Sequence, residues 1–103
     1  MKIFISQAMR DKTDEEILET RAKIIDKVKY LFDEENVEVL DSFFQEAPHD
    51  AKPLWYLGES LKVMSEADLV VFAPGWEKAR GCCIERQCCI SYDKSTLLVE
   101  LED

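Results

Sequence analysis

One glutamate of this sequence is a candidate catalytic residue. Glu85 lies about one helical turn after Gly81, in a segment that follows an apolar, strand-like run. Glycine lets a ligand or another backbone approach closely at the start of a helix. A carboxylate close to such a point can act as a nucleophile on an electrophilic carbon. The alternative, which the spacing alone favours, is an ordinary surface glutamate beside Arg86.

A second group of polar residues follows the first apolar run of the chain. Ser6, Gln7 and Arg10 stand just before a predicted helix. Free backbone N–H groups and the helix dipole favour an anion at such a place, and a guanidinium adds a forked, charged donor. Because the stretch contains no glycine, it is not a dinucleotide fingerprint. The alternative is an ordinary strand-to-helix turn with a solvated arginine.

Four cysteines cluster around Glu85 in the sequence. On one helix Cys82 and Cys89 share the face of Glu85, at −3 and +4, whereas Cys83 and Cys88 point elsewhere. The four sulfurs therefore cannot converge on one zinc ion without a partner chain, and vicinal pairs do not suit ordinary disulfides. We expect small buried side chains, one of which could line a pocket, and we expect no metal or organic cofactor.

Few other side chains are candidates for ligand contact. His49, the only histidine, is in a polar loop, where it is either an ordinary surface residue or a ligand contact. Phe43, Phe44 and Trp76 fall at predicted strand ends, so one of them could stack on a base, although large aromatics more often serve a core or an interface.

The elements that would position these residues alternate along the chain. Short, mostly apolar runs predict strands at 3–5, 37–40, 69–72 and 96–99, and helical periodicity predicts helices at 13–34, 53–66 and 79–92. Thr13 and Glu16 form a capping box at the first helix. The apolar stripe of that helix is predicted at Ile17, Thr20, Ile24, Val28 and Leu31, and that of the second helix at Leu54, Leu57, Leu61 and Met64.

This order predicts an α/β fold. Apolar strands that alternate with amphipathic helices indicate a parallel sheet of four or five strands, covered on both faces in a Rossmann-like three-layer sandwich. The chain would form a single domain over residues 1–103. Ligands of such sheets bind beyond the carboxyl ends of the strands, where the loops at 6–10, 41–44 and 74–78 begin. Ser42 and the pair Gly75 and Trp76 therefore join the candidate substrate-binding residues.

Composition excludes several classes of partner. The 103 residues include 13 Lys and Arg against 22 Asp and Glu, a net charge of −9. Such an acidic chain is unsuited to a nucleic-acid polymer or to an anionic membrane surface. The longest apolar run, at 69–74, is too short to span a bilayer. Without a signal-peptide pattern at the start, a cytoplasmic protein with reduced cysteines is expected.

Three stretches together carry a family resemblance. They read MKIFISQAMR at 1–10, SEADLVVF at 65–72 and GWEKARGCCIE at 75–85. They resemble the small phage and bacterial DUF4406 proteins, which are similar to the nucleoside 2-deoxyribosyltransferase superfamily. The pattern Gly-Trp-Glu-Lys-x-Arg-Gly-Cys-x-x-Glu is specific for the small group.

The resemblance implies cleavage of an N-glycosidic bond in a deoxynucleoside or nucleotide. By position, Glu85 would attack the anomeric carbon, and water or another base would resolve the glycosyl–enzyme ester. In the nucleotide-acting branch, the 5′-phosphate site would map to Ser6, Arg10, Ala79 and Gly81, with Arg80 as a neighbouring candidate. The resemblance also implies a homo-oligomer in which a neighbouring subunit completes the pocket.

The sequence departs from the enzymes at several of these positions. They usually carry an aspartate eight residues before Asp68, where this chain has Ser60 with Glu59 beside it. Ala79 replaces a serine that often contacts phosphate. Three functions therefore stay open: a glycosyltransferase or N-glycoside hydrolase, a non-catalytic nucleotide-binding or sensing domain, and a phage interaction protein with a vestigial pocket.

Overall fold

The structure is a computed structural model that describes residues 1–40 and 48–101. Its elements, in chain order, are β1 (Lys2–Ser6), α1 (Asp14–Phe32), β2 (Glu38–Val39), α2 (Pro53–Met64), β3 (Leu69–Phe72), a 3₁₀ turn (Trp76–Lys78), α3 (Arg80–Ser91) and β4 (Thr96–Leu98). Each strand and helix predicted from the sequence is present, with ends that differ by at most two residues.

The described strands form one parallel sheet of four, in the order β2-β1-β3-β4. Ile3 pairs with Val39 on one side and with Leu69 on the other. The chain thus passes from β1 outwards to β2, then crosses back to β3 and continues outwards to β4. The two central strands are therefore the point at which the winding reverses, where open α/β sheets bind their ligands.

Helices cover both faces of the sheet, as the predicted three-layer α/β fold requires. On one face, Ile24 and Val28 of α1 pack with Ile3, Ile5 and Val71. On the other face, Met64 of α2 and Cys89 of α3 pack with Phe4, Val70 and Phe72. Because successive strand residues point to opposite faces, Ser6 belongs to the face of α2 and α3, and Gln7, which follows it, turns to the face of α1.

Helix α1 begins as predicted but buries a different stripe. The Thr13 Oγ1 accepts a hydrogen bond from the backbone N–H of Glu16 over 3.1 Å, which confirms the capping interaction. The buried stripe contains Arg21, whereas Leu31, predicted to be part of it, is 50% exposed. Arg21 is buried because it has a polar partner on the sheet side, Gln7. Leu31 lies near the end of the helix, beyond the last buried residue, Val28.

Helix α2 is packed less fully than its sequence predicts. It begins at Pro53, the residue expected to open it. Of its predicted apolar stripe only Met64 is fully buried, and Leu54 is 78% exposed. The residue that α2 buries lies at the carboxyl end of the helix, so its last turn packs on the sheet more closely than its first.

No helix in the described ranges combines the length and the apolar character that crossing a bilayer requires.

Candidate functional site

Glu85 and Ser6 meet at the carboxyl edge of the central strands. Ser6 is the last residue of β1, and Glu85 lies in the second turn of α3. The Ser6 hydroxyl donates a hydrogen bond to Oε1 of Glu85 over 2.6 Å. Ser6 is 1% exposed and Glu85 6% exposed. Glu85 is therefore a buried carboxyl at the point where the winding reverses, and not the surface glutamate that its spacing alone favoured.

The two carboxyl oxygens of Glu85 have different surroundings. Oε1 accepts the bond from Ser6, whereas the described residues give no donor to Oε2. In that same part of the chain no fully buried side-chain oxygen lacks a hydrogen bond. Oε2 is therefore not completely enclosed by the protein. The site holds one oxygen of a buried carboxyl by a hydrogen bond and leaves the other without one from the described residues.

Burial dominates the proton affinity of the groups around Glu85. It raises the pKa of Glu85, and the hydrogen bond from Ser6 opposes this effect in part. The neighbouring thiol of Cys82 is also buried, and desolvation raises its pKa to about 11. Cys82 is thus protonated at neutral pH and is a poor nucleophile. The carboxyl is the better nucleophile of the pair.

The structure assigns Gln7 to the packing of α1. Its Oε1 accepts a hydrogen bond from Nε of Arg21 over 3.1 Å, and its Nε2 donates to the carbonyl of Ile17 over 3.3 Å. Gln7 and Arg21 are both buried on the α1 face of the sheet, opposite to the face on which Ser6 meets Glu85. The sequence did not single out Arg21, although its spacing of 17, 21, 24 and 28 is that of a buried helical stripe.

The predicted anion site before α1 has unfavourable neighbours. Arg10 is exposed and makes no ion pair with any residue the structure describes. Asp11 adopts a left-handed backbone, with φ of 63°, a conformation that usually belongs to glycine. The first turn of α1 carries three carboxylates, at positions 14–16. These charges already complement the positive end of the helix dipole and would repel a bound anion.

Backbone conformation and side-chain contacts fix the loop between β3 and α3. Gly75 has a φ of 88°, which only glycine adopts without strain, and it leads the chain into the 3₁₀ turn. The ring of Trp76 packs against that of Phe72, with ring centroids 5.5 Å apart, and is partly exposed. The Cys83 thiol donates to the carbonyl of Glu77 over 3.3 Å and so joins the turn to α3. Gly75 and Trp76 thereby fix the course of the chain just before the first turn of α3.

The amino end of α3 is open to a ligand. Ala79 precedes the helix without a side-chain cap, and its own N–H donates to the carbonyl of Trp76. Arg80 and Gly81 are exposed in the first turn, which has no acidic residue. A Cβ placed on Gly81 would meet no atom within 4 Å, so the space beside it is unfilled. The backbone N–H groups of Arg80 and Gly81 thus make no hydrogen bond to the described residues, whereas that of Ala79 is already used.

Several other predicted residues do not join this site. Glu59 accepts an ion-paired hydrogen bond from Lys62 on its own helix over 3.0 Å. Neither Glu59 nor the half-buried Ser60 contacts Glu85 through a hydrogen bond in the described part of the chain. His49 is exposed. Ser42, and the aromatic pair at 43–44, lie outside the described residues.

The cysteines divide as their spacing predicts. Cys82 and Cys89 are buried on the same face of α3 as Glu85. Cys89 packs in the core, with its sulfur 3.9 Å from that of Met64. Cys83 is exposed and Cys88 is half-buried.

Comparisons with models of protein families, with curated proteins and with solved structures return no match. The fold and the geometry around Glu85 are therefore the basis for assigning a function.

Proposed function

We propose that the protein cleaves the N-glycosidic bond of a nucleoside or nucleotide, with Glu85 as the nucleophile. The observation that carries the proposal is the geometry of this carboxyl: it is buried at the reversal of the sheet and held at Oε1 by Ser6, while the described residues give no hydrogen bond to Oε2. The resemblance to the DUF4406 proteins and to the nucleoside 2-deoxyribosyltransferase superfamily supports the same assignment, since it maps the nucleophile of the enzymes to Glu85.

The reaction would proceed in two steps on the sugar. Ionised Oε2 of Glu85 attacks the anomeric carbon, and a C–O bond forms as the bond to the base nitrogen breaks. The electron pair leaves with the base, which takes a proton from water. The transition state resembles an oxocarbenium ion, which a nearby carboxylate stabilises. Water or a second base then attacks the same carbon, gives up its proton to solvent, and releases the carboxylate of Glu85.

An anionic group on the substrate would bind at the amino end of α3. The backbone N–H groups of Arg80 and Gly81, which make no hydrogen bond to the described residues, and the side chains of Lys78 and Arg80 favour negative charge there, whereas the exposed Glu77 opposes it. This placement supports a nucleotide over a nucleoside. The 5′-phosphate and the anomeric carbon are at opposite ends of the sugar, and Glu85 lies within two turns of the amino end of α3. Arg10 remains a second candidate contact, whereas Ser6 already has Glu85 as its hydrogen-bond partner.

A second candidate function is nucleotide binding or sensing without turnover. It is favoured by Ser60, which stands where the resemblance expects an acid, and by Glu59, whose carboxylate pairs with Lys62. Without an acidic group beside the base, the leaving base depends on solvent for its proton, and cleavage would be slow. The third function, a phage interaction protein with a vestigial pocket, requires that no nucleotide binds at all.

We further propose a cytoplasmic homo-oligomer that needs no metal or organic cofactor and that binds neither a nucleic-acid polymer nor a membrane. The acidic composition, with a net charge of −9, supports the exclusion of polyanionic partners.

Base release from purified protein tests the proposal. Deoxynucleosides and their 5′-monophosphates are incubated with the wild type, with Glu85→Gln and with Glu66→Gln, an exposed glutamate at the opposite edge of the sheet. We expect free base from the wild type and from Glu66→Gln, and a loss of about 10³-fold or more in Glu85→Gln.

The other outcomes separate the remaining functions. A ligand-induced thermal shift without base release would reject the enzyme and support nucleotide sensing. Equal base release from Glu85→Gln and the wild type would remove Glu85 as the nucleophile. No response to any nucleotide would reject both candidate functions and leave the interaction protein.

A further inference from the structure

The hydroxyl of Ser6 has a role that the sequence does not indicate. The resemblance assigns this position to a phosphate site, but the side chain is 1% exposed and its hydrogen bond goes to Oε1 of Glu85. We propose that Ser6 is a positioning residue, whose hydroxyl holds Oε1 so that Oε2 faces the sugar. This inference rests on the proposed function of Glu85.

Both ends of the hydrogen bond are fixed to rigid elements. Ser6 pairs with Phe72 in the sheet, and its carbonyl accepts a hydrogen bond from the N–H of Ala73 over 2.9 Å. Glu85 lies on α3, which the bond from Cys83 to Glu77 joins to the turn after β3. A nucleophile is effective when its supports hold it to within a fraction of an ångström. The strand and the helix together can therefore preset the orientation of the carboxyl.

The bond also matters for the charge of Glu85. A serine hydroxyl that donates to a carboxylate stabilises the ionised form, which burial disfavours. The adjacent thiol of Cys82 has its pKa raised to about 11 by burial, so it places no second negative charge beside the carboxylate. At neutral pH the ionised form of Glu85, which the attack requires, is thus favoured by Ser6 and is not opposed by Cys82.

The test is a direct titration of Glu85 by carboxyl ¹³C NMR, in which the resonance is assigned by its loss in Glu85→Gln. Ser6→Ala should raise the pKa of Glu85 by about one unit, since the ionised carboxylate loses a charge-assisted donor. Ser6→Thr retains the hydroxyl and should restore the wild-type value. Ser6→Cys, of nearly the same size with a weaker donor, should give an intermediate shift, and it replaces Ser6→Ala if that variant does not fold.

The matched control is Ser65→Ala. The Ser65 hydroxyl makes an equally short hydrogen bond, 2.6 Å to the carbonyl of Lys62, at the opposite edge of the sheet. This variant should leave the titration of Glu85 unchanged. The proposal is overturned if Ser6→Ala leaves the pKa of Glu85 where it was, or if Ser6→Thr shifts it as far as Ser6→Ala does.

Turnover provides a second readout and separates this proposal from the proposed function. If base is released, the acidic limb of the kcat profile should move upwards by about one pH unit in Ser6→Ala, and kcat at neutral pH should fall about 10- to 100-fold with little change in KM. A merely structural serine would lower kcat without moving the limb. If the wild type releases no base, the proposed function fails, whereas the NMR titration still decides whether Ser6 holds Glu85.

Discussion

The amino ends of α1 and α3 occupy equivalent places but have opposite chemistry. Each helix follows the carboxyl end of a central strand, β1 or β3, so both point a positive dipole end at the same edge of the sheet. The end of α1 is capped by Thr13 and lined with acidic residues at 14–16. The end of α3 has no side-chain cap and no acidic residue in its first turn; Glu77 and Lys78 precede it, and Arg80 opens it.

The difference separates a helix end that is satisfied within the chain from one that we propose to bind a ligand. A cap and acidic residues satisfy a helix end within the chain itself, which stabilises the helix and leaves little for a ligand to gain. An uncapped end with basic neighbours keeps its donors for an anion. Glu85 lies on α3, within two turns of the open end. The helix end to which we assign the anion is therefore also the end that is close to the carboxyl of Glu85.

The largest expected effect comes from placing an acidic residue in the first turn of α3, as in the first turn of α1. Gly81→Asp would place a carboxylate in the first turn, where a Cβ has open space. We expect the Kd for a deoxynucleoside 5′-monophosphate to rise about tenfold or more, because like charges would meet. Thermal stability should rise at the same time, since aspartate replaces glycine and complements the dipole.

Calorimetric titration measures the rise in Kd of Gly81→Asp, and thermal unfolding measures its rise in stability. Arg10→Ala, which changes the α1 side, is the matched variant and should alter the Kd much less. If Arg10→Ala weakens binding more than Gly81→Asp does, the assignment of the two ends is reversed.

A smaller effect is expected from the pH dependence of stability. Burial raises the folded-state pKa of Glu85 above its ordinary value of 4.5. The folded protein therefore holds the proton of Glu85 more tightly than the unfolded chain does. The stability that this difference contributes is complete below pH 4.5 and is lost as pH rises through the raised pKa. Glu85→Gln should therefore unfold at a higher temperature than the wild type at neutral pH, and the gap should close as pH falls towards 4.5.

The exposed Glu66→Gln is the comparison for this titration of stability, because its carboxyl stays in solvent. It should follow the wild type at all pH values. A gap between Glu85→Gln and the wild type that grows on acidification would contradict the raised pKa.

The smallest expected effect tests the α1 end alone. Thr13→Ala removes the side-chain acceptor for the N–H of Glu16. The free energy of unfolding should fall by about 1 kcal/mol, which lowers Tm by about 4–8 °C in a domain of this size. Nucleotide affinity should not change, since the proposed phosphate site is at the end of α3. Denaturant unfolding and a binding titration measure the two, and a loss of affinity would show that the α1 end takes part in the site.

Local patterns were sufficient for most of the fold. Apolar runs and helical spacings predicted every described strand and helix, because the strands of a sheet covered on both faces are mostly apolar and each helix must bury one stripe. The same patterns were wrong about Leu31 and Leu54, which are exposed, and they missed the buried Arg21. A spacing shows which residues share a helix face. It does not show whether the sheet extends beneath that face or whether a polar partner such as Gln7 lies there. Both depend on other parts of the chain.

For the candidate site, the sequence by itself determined that Glu85 would lie near the carboxyl edge of a parallel sheet, because β-α-β order and right-handed crossovers leave few other places. It also determined the acidic and basic character of the two helix ends. Only the tertiary structure decided that Ser6 holds Glu85, across 79 positions of sequence, and that Gln7 turns away to α1. A hydrogen bond needs its atoms placed within a few tenths of an ångström, and that placement comes from the packing of strands and helices together.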